Sequence, residues 1–293
     1  VEPIIILKAT GLPVVIAAIA GLAALPRGWD ESRPTYVRVL GVVTVVIASI
    51  AGQIWFLGGI DVPASFEAVE AWQWLLTSVI PISIAVVIRI NSAETVNLST
   101  LLAAALFHVF LDLALRPIVG NWEAVERIVW MSCIMTTVIL WLAYHHAFGI
   151  KSSPRVFPFM LCIVAALSGV IFALQTSSKL GFLAAALSAA LGPPAVYAMF
   201  GRTNLAHGAT RLVSWMLPGF WICHYFYSID VPKYTIPLLV LAGIVPCVGL
   251  SAIFNERPAW QKVTVQFVLV IACLAGALVP AIVNFESDPY AGY

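Results

Sequence analysis

Ten stretches of about twenty residues, almost free of charge, follow one another along this chain with only short polar gaps between them. They run approximately over 4–25, 36–57, 72–90, 97–117, 125–147, 156–174, 179–200, 211–229, 234–254 and 262–284. A helix rising about 1.5 Å per residue crosses a hydrocarbon core of roughly 30 Å in such a length. The runs lack period-two alternation, and a barrel strand needs only about ten alternating residues, so helices are the expected element. Composition agrees with lipid as the solvent. Of the 293 residues, 61% are hydrophobic and only 10% charged, and the mean hydropathy is +0.99. A water-soluble fold with this content has too few polar residues to cover its surface. The expected fold is an all-α, polytopic transmembrane helical bundle of about ten spans with short loops, residues 1–293 forming a single integral membrane domain. Residues 4–25 are too long and too weakly flanked for a signal peptide and count as the first span.

Net charge is +1, which gives no electrostatic reason to expect a nucleic-acid partner. Cys133, Cys162, Cys223, Cys247 and Cys273 all fall in apolar runs with no CxxC pair, and read as small packing residues. Placing the loops alternately on two sides collects Arg27, Arg33, Arg38, Arg89, Lys151, Arg155, Arg202, Arg211, Arg257 and Lys262 on one of them. The other side receives Lys8, Arg116, Arg127, Lys179 and Lys233. Basic residues favour the cytoplasm, so the first side is inner and both termini face out, in a bacterial inner membrane. Trp29, Trp55, Trp72, Trp74, Trp122 and Trp260 lie near span ends, as interfacial anchors do.

An odd number of spans per half makes a five-plus-five inverted repeat compatible with this threading. Pro81 in the third run and Pro218 in the eighth occupy matching places, although prolines also occur in the first, seventh, ninth and tenth runs. Gly192-Pro193-Pro194 is the strongest expected break, because neither proline donates a backbone N–H to a helix. Free carbonyls at such a break line sites in many transporters; a kink that aids packing is the competing reading.

The fourth run carries LFHVFLDLALRP, with His108, Asp112 and Arg116 spaced four apart and hence on one helix face. A lone carboxylate at bilayer depth costs roughly 2.5–3.5 kcal/mol on insertion scales, so Asp112 should be neutral, paired or wetted. Arg116 and His108 are its nearest local partners, and Arg116, before Pro117, is placed to snorkel outward. The stripe reads either as a proton or solute path or as a ladder locking the run to a neighbour. His224 in the eighth run falls at a depth close to that of Asp112 and could bond it, or join His108 as an axial haem ligand. Phe220, Trp221, Tyr225, Phe226 and Tyr227 around it read as an outer aromatic belt, with a substrate-lining wall as the alternative, and His145 and His146 as surface or interface histidines. Glu123, Glu126 and Arg127 open the fifth run, where acids complement the helix dipole. Gln266 lies deep enough to need a partner.

No HExxH, P-loop, dinucleotide or Ser-His-Asp pattern occurs, so neither an enzyme nor a bound cofactor or metal is expected. Length and span count are similar to those of the drug/metabolite transporter superfamily, an analogy of plan whose usual cytoplasmic termini this threading does not share. The leading expectation is a secondary transporter or permease for a small solute, its path lined by runs 3, 4, 7 and 8. His108, Asp112, Arg116, His224, Pro81, Pro193, Pro194 and Pro218 are the pathway residues, with Asp112 and His108 coupling protons or ions. A non-catalytic subunit anchoring other membrane subunits is the second reading, and a haem-bearing redox subunit the third. Membrane lipids and a small-molecule solute are the expected partners.

Overall fold

The computed structural model describes residues 3–23, 33–57, 71–91, 98–145, 154–175, 178–228, 232–247 and 258–287. Every regular element among them is helical. In chain order these are α1 (Pro3–Ala23), α2 (Pro34–Leu57), α3 (Ala71–Asn91), α4 (Leu98–Val119), α5 (Ala124–Tyr144), α6 (Phe157–Leu174), α7 (Ser178–Met199), α8 (Thr203–Tyr227), α9 (Thr235–Ile244) and α10 (Ala259–Ser287). A single 3-10 turn, Val245–Cys247, follows α9. Seven of the helices are long and apolar enough to cross a membrane: α2 to α7 and α10. That marks a membrane protein, since only a helix pairs all its backbone groups within one lipid-exposed segment.

α8 is the hub. It touches α2, α3, α4, α5, α6, α7 and α9. The ten residues 212–221 are all buried, so this helix is covered all round. Its covering explains its composition. Side chains that meet other helices need not be apolar, and α8 carries Asn204, His207, Arg211, Ser214 and His224, which keep it out of the seven most lipid-compatible helices. It also begins eight residues before the apolar run at 211. The segment TNLAHGAT reads as a loop by polarity, yet it continues the helix because Gly208 lies against the α2 backbone at Arg38.

Close backbone approach recurs where glycines face each other. A Cβ at Gly169 of α6 would come within 2.8 Å of the Gly181 carbonyl of α7, and one at Gly181 within 2.7 Å of the Gly169 carbonyl. In a bilayer, where burial supplies little drive between helices, such small-residue contacts let dispersion and carbonyl contacts hold the pair. Two expectations fail here. α7 runs unbroken through Pro193 and Pro194, with Pro194 buried and Pro193 half-buried; losing two ladder bonds is tolerated while flanking turns remain packed on both sides. Trp74 is buried in the core against the Phe110 ring, centroids 6.4 Å apart, and anchors no interface. Trp29 lies outside the described residues, as do His146, Arg27, Lys151 and Arg257.

Candidate functional site

α4 and α5 form an antiparallel hairpin whose short connection keeps their facing ends together. Gly120 N–H donates to the Arg116 carbonyl at 2.9 Å, Trp122 N–H to the Val119 carbonyl at 3.1 Å, and Asn121 Nδ2 to the Pro117 carbonyl at 3.2 Å. α5 then starts at Ala124 without a side-chain cap from Glu123. That register sets Arg127, about 5 Å along α5, opposite Asp112, about 10 Å back from the end of α4. Arg127 Nη2 stands 2.7 Å from both carboxylate oxygens of Asp112. The expected partners of Asp112 were local, Arg116 or His108, or distant, His224. The structure supplies a partner from the facing helix, Arg127, and His224 is engaged elsewhere. Arg116 is exposed, as a snorkelling residue should be.

Beyond the ion pair the two helices part. The cleft between them measures about 600 Å³ and is lined by His108, Asp112 and Arg127 together with Ser132, Met131 and Met135, among others. His108 and Asp112 do share a face, as their spacing requires. His108 Nδ1 is shielded and has no hydrogen-bond partner among the described residues. The lining is amphipathic: two charged groups at one end, an imidazole and a hydroxyl further in, and flexible thioethers that adapt to an occupant.

The far end of α5 is fastened by a second network, which sequence reasoning missed. His145 is fully buried, not a surface residue. Its Nε2 is 3.1 Å from the Gly243 carbonyl of α9 and its Nδ1 3.0 Å from Ser214 Oγ of α8. A carbonyl only accepts, so Nε2 carries the proton and the Ser214 hydroxyl donates to Nδ1. Trp141, one turn earlier, donates from Nε1 to the Ser214 carbonyl at 2.9 Å. Its ring also fills the space that a side chain at Gly243 would need. The spacing Trp141–His145 was the available signal, a pair four apart on one face, but nothing in the sequence says which way that face points. α5 is thus tied near both ends and stands off α4 between them.

The remaining candidates lie elsewhere. His224 is buried on the inner face of α8, its Nε2 2.9 Å from Gln175 Oε1 and its Nδ1 3.0 Å from Ser228 Oγ, with the tilted Phe172 ring's centroid 4.3 Å from its own. Both ring nitrogens are engaged and the ring is enclosed, so it neither bonds Asp112 nor fits as a haem ligand beside His108. Phe220 and Trp221, expected in a belt, belong to the core, and Trp221 Nε1 donates to Ser168 Oγ at 3.0 Å. Pro218 is buried in α8 beside a separate apolar cavity of about 190 Å³ under α5. Pro193 lines another, of about 360 Å³, between α1, α6 and α7. Pro81 is half-buried within continuous α3. None of the four prolines lines the α4–α5 cleft, so the structure does not gather runs 3, 7 and 8 around His108 and Asp112. Gln266 finds the partner its depth demands, the Pro246 carbonyl at 3.1 Å. Among the described residues no three His, Cys, Asp or Glu side chains assemble as a metal-ligand set. No protein-family model, curated protein or solved structure matches this chain.

Proposed function

We propose that this chain is a multi-pass permease that moves a small solute by way of the α4–α5 cleft. One observation carries the reading: the ionisable groups that α4 and α5 place at bilayer depth, His108, Asp112 and Arg127, share the lining of a single cleft of about 600 Å³, a volume in the usual range for small-molecule sites. Asp112 and His108 are the ion- or proton-coupling pair, and Arg127 is the partner that Asp112 exchanges for solute or proton. A solute that bears a charge competes for one member of the pair, and release of Arg127 frees the outer end of α5 while Trp141 and His145 keep the inner end in place. The ten apolar runs are ten crossings with both termini outside, α8 among them despite its polarity and α9 as the described part of the ninth run.

An inverted five-plus-five repeat is part of the proposal. In its support, α1–α2 and α2–α3 are neighbours just as α6–α7 and α7–α8 are, and α2 meets α7 as α3 meets α8. Against it, the close α3–α4 pairing has only a weak counterpart in α8–α9, and α1–α7 and α2–α8 pack closely where α2–α6 and α3–α7 do not. The permease reading is tested in proteoliposomes that enclose a pH-sensitive dye and are offered amino acids, carboxylates, amines and sugars in turn. The expected result is pH-dependent flux of one class, lost in Asp112→Asn while the variant keeps its helicity and elution volume. Full pH-dependent flux in that variant rules out the coupling role.

A second reading, a non-catalytic subunit that docks other membrane chains, draws on α5, of which only 17% is buried within the chain. Stable partner chains retained after mild detergent extraction, with no flux from the isolated protein, favour it over the permease.

A further inference from the structure

The ion pair at one end of the α4–α5 cleft leaves much of its hydrogen-bonding capacity unused. Arg127 meets Asp112 through Nη2 alone, at 2.7 Å from each oxygen. Its Nε and Nη1 make no hydrogen bond among the described residues, and Asp112 accepts from no other side chain there. Each carboxylate oxygen keeps a lone pair for a further donor, and the guanidinium keeps N–H groups for a further acceptor. The Arg127 and Asp112 side chains stay 49% and 30% exposed, and both line the cleft. The cleft therefore presents an open donor and an open acceptor, of opposite charge, side by side.

The rest of the lining narrows the class of solute. Val109 and Leu113 of α4 and Ile128, Met131 and Met135 of α5 are apolar, and His108 and Ser132 add an imidazole and a hydroxyl. Among the described residues no further Asp, Glu, Lys or Arg lines the cleft, so its fixed charges sum to zero. A solute with a single charge would upset that balance at bilayer depth, where an uncompensated charge is costly. A simple anion would also approach Glu123 and Glu126, which lie within a turn of Arg127 on α5. A sugar would find only His108 and Ser132 as uncharged polar side chains. A zwitterion brings one charge of each sign and leaves the sum unchanged. Because Asp112 and Arg127 touch, the two charges of the solute must also lie close together, as they do when an ammonium and a carboxylate share one carbon.

We propose that the cleft binds an α-amino acid with an uncharged side chain, a reading that rests on the permease proposal only in taking this cleft as the solute site. The ammonium donates to the Asp112 carboxylate, and the carboxylate accepts from the Arg127 N–H groups that Asp112 leaves unused. The side chain lies among the thioethers of Met131 and Met135, which adapt to its shape. Thermal unfolding of the purified chain in neutral detergent is followed with L-leucine, L-methionine and L-glutamine. L-leucine is compared with its two truncations, 4-methylpentanoate and 3-methylbutylamine, which lack the ammonium and the carboxylate respectively. At least one of the three amino acids should raise the midpoint by a few degrees, as a ligand of the folded state does. Either truncation should need at least about tenfold more for the same rise, because it leaves one member of the pair uncompensated. Asp112→Asn and Arg127→Gln should lose the rise. If neither variant folds, Leu113→Trp, which narrows the cleft and keeps the pair, should lose it instead. The proposal is overturned if none of the three amino acids raises the midpoint, if a truncation serves as well as L-leucine, or if the rise survives undiminished in these variants. Binding without flux in proteoliposomes supports this site and removes the permease reading. Flux of a sugar or a simple amine with no response to the amino acids keeps the permease and overturns this site.

Discussion

Arg127 decides what Asp112 can do. With Nη2 at 2.7 Å from both oxygens, the carboxylate is paired across helices, and its cost at bilayer depth is met by a partner that sits on a different element. The pair is partly exposed, so its worth to stability is modest, about 1 kcal/mol on the scale of accessible ion pairs. Arg127→Gln and Asp112→Asn should each lower the unfolding midpoint slightly, and the swap Asp112→Arg with Arg127→Asp should recover most of the loss. A double-mutant cycle by thermal unfolding in detergent measures this; additive losses with no recovery would mean the contact contributes nothing. His145 differs in kind. His145→Phe keeps the ring's bulk but leaves the Ser214 hydroxyl and Gly243 carbonyl without their buried partner, a cost of about 1–3 kcal/mol. The same unfolding assay checks it, and a loss below that of Asp112→Asn would contradict the ranking.

At the scale of elements, the glycines divide into those that set a helix contact and those that do not. Gly208→Val would push α2 away from α8 and should abolish folding or lower the midpoint severely, since the added atoms meet backbone. Gly192→Ala meets only Cys162 Sγ, at 3.9 Å, and should be neutral or slightly stabilising through helix propensity. Size-exclusion recovery of the two variants side by side tests the contrast. The sequence reads well where hydropathy and helix ends coincide: the fourth run, 97–117, becomes Leu98–Val119, and the sixth, 156–174, becomes Phe157–Leu174. It reads poorly where a polar segment is covered by other helices, as at the start of α8. It also misreads the double proline, because the loss of two donors is a local fact and the packing that tolerates it is not. The partition of His108 and Asp112 onto one face was legible from spacing alone. That the face looks toward α5 was not, because the direction of an amphipathic stripe is set by neighbours that one helix does not specify.

For the whole molecule, α8 is a buried, comparatively polar hub and α5 an outlying helix tied near both ends, with the cleft opening beside its Asp112–Arg127 tie. The central claim is that water and solute, not lipid tails, fill the cleft. It is tested most directly by cysteine accessibility in a cysteine-free background, with Leu113→Cys and Ser132→Cys on the cleft lining and Val129→Cys on the outward face of α5. In sealed proteoliposomes treated with a membrane-impermeant maleimide, the two cleft positions should label at least tenfold faster than Val129→Cys. Equal, slow labelling at all three positions would place hydrocarbon in the cleft and contradict the account.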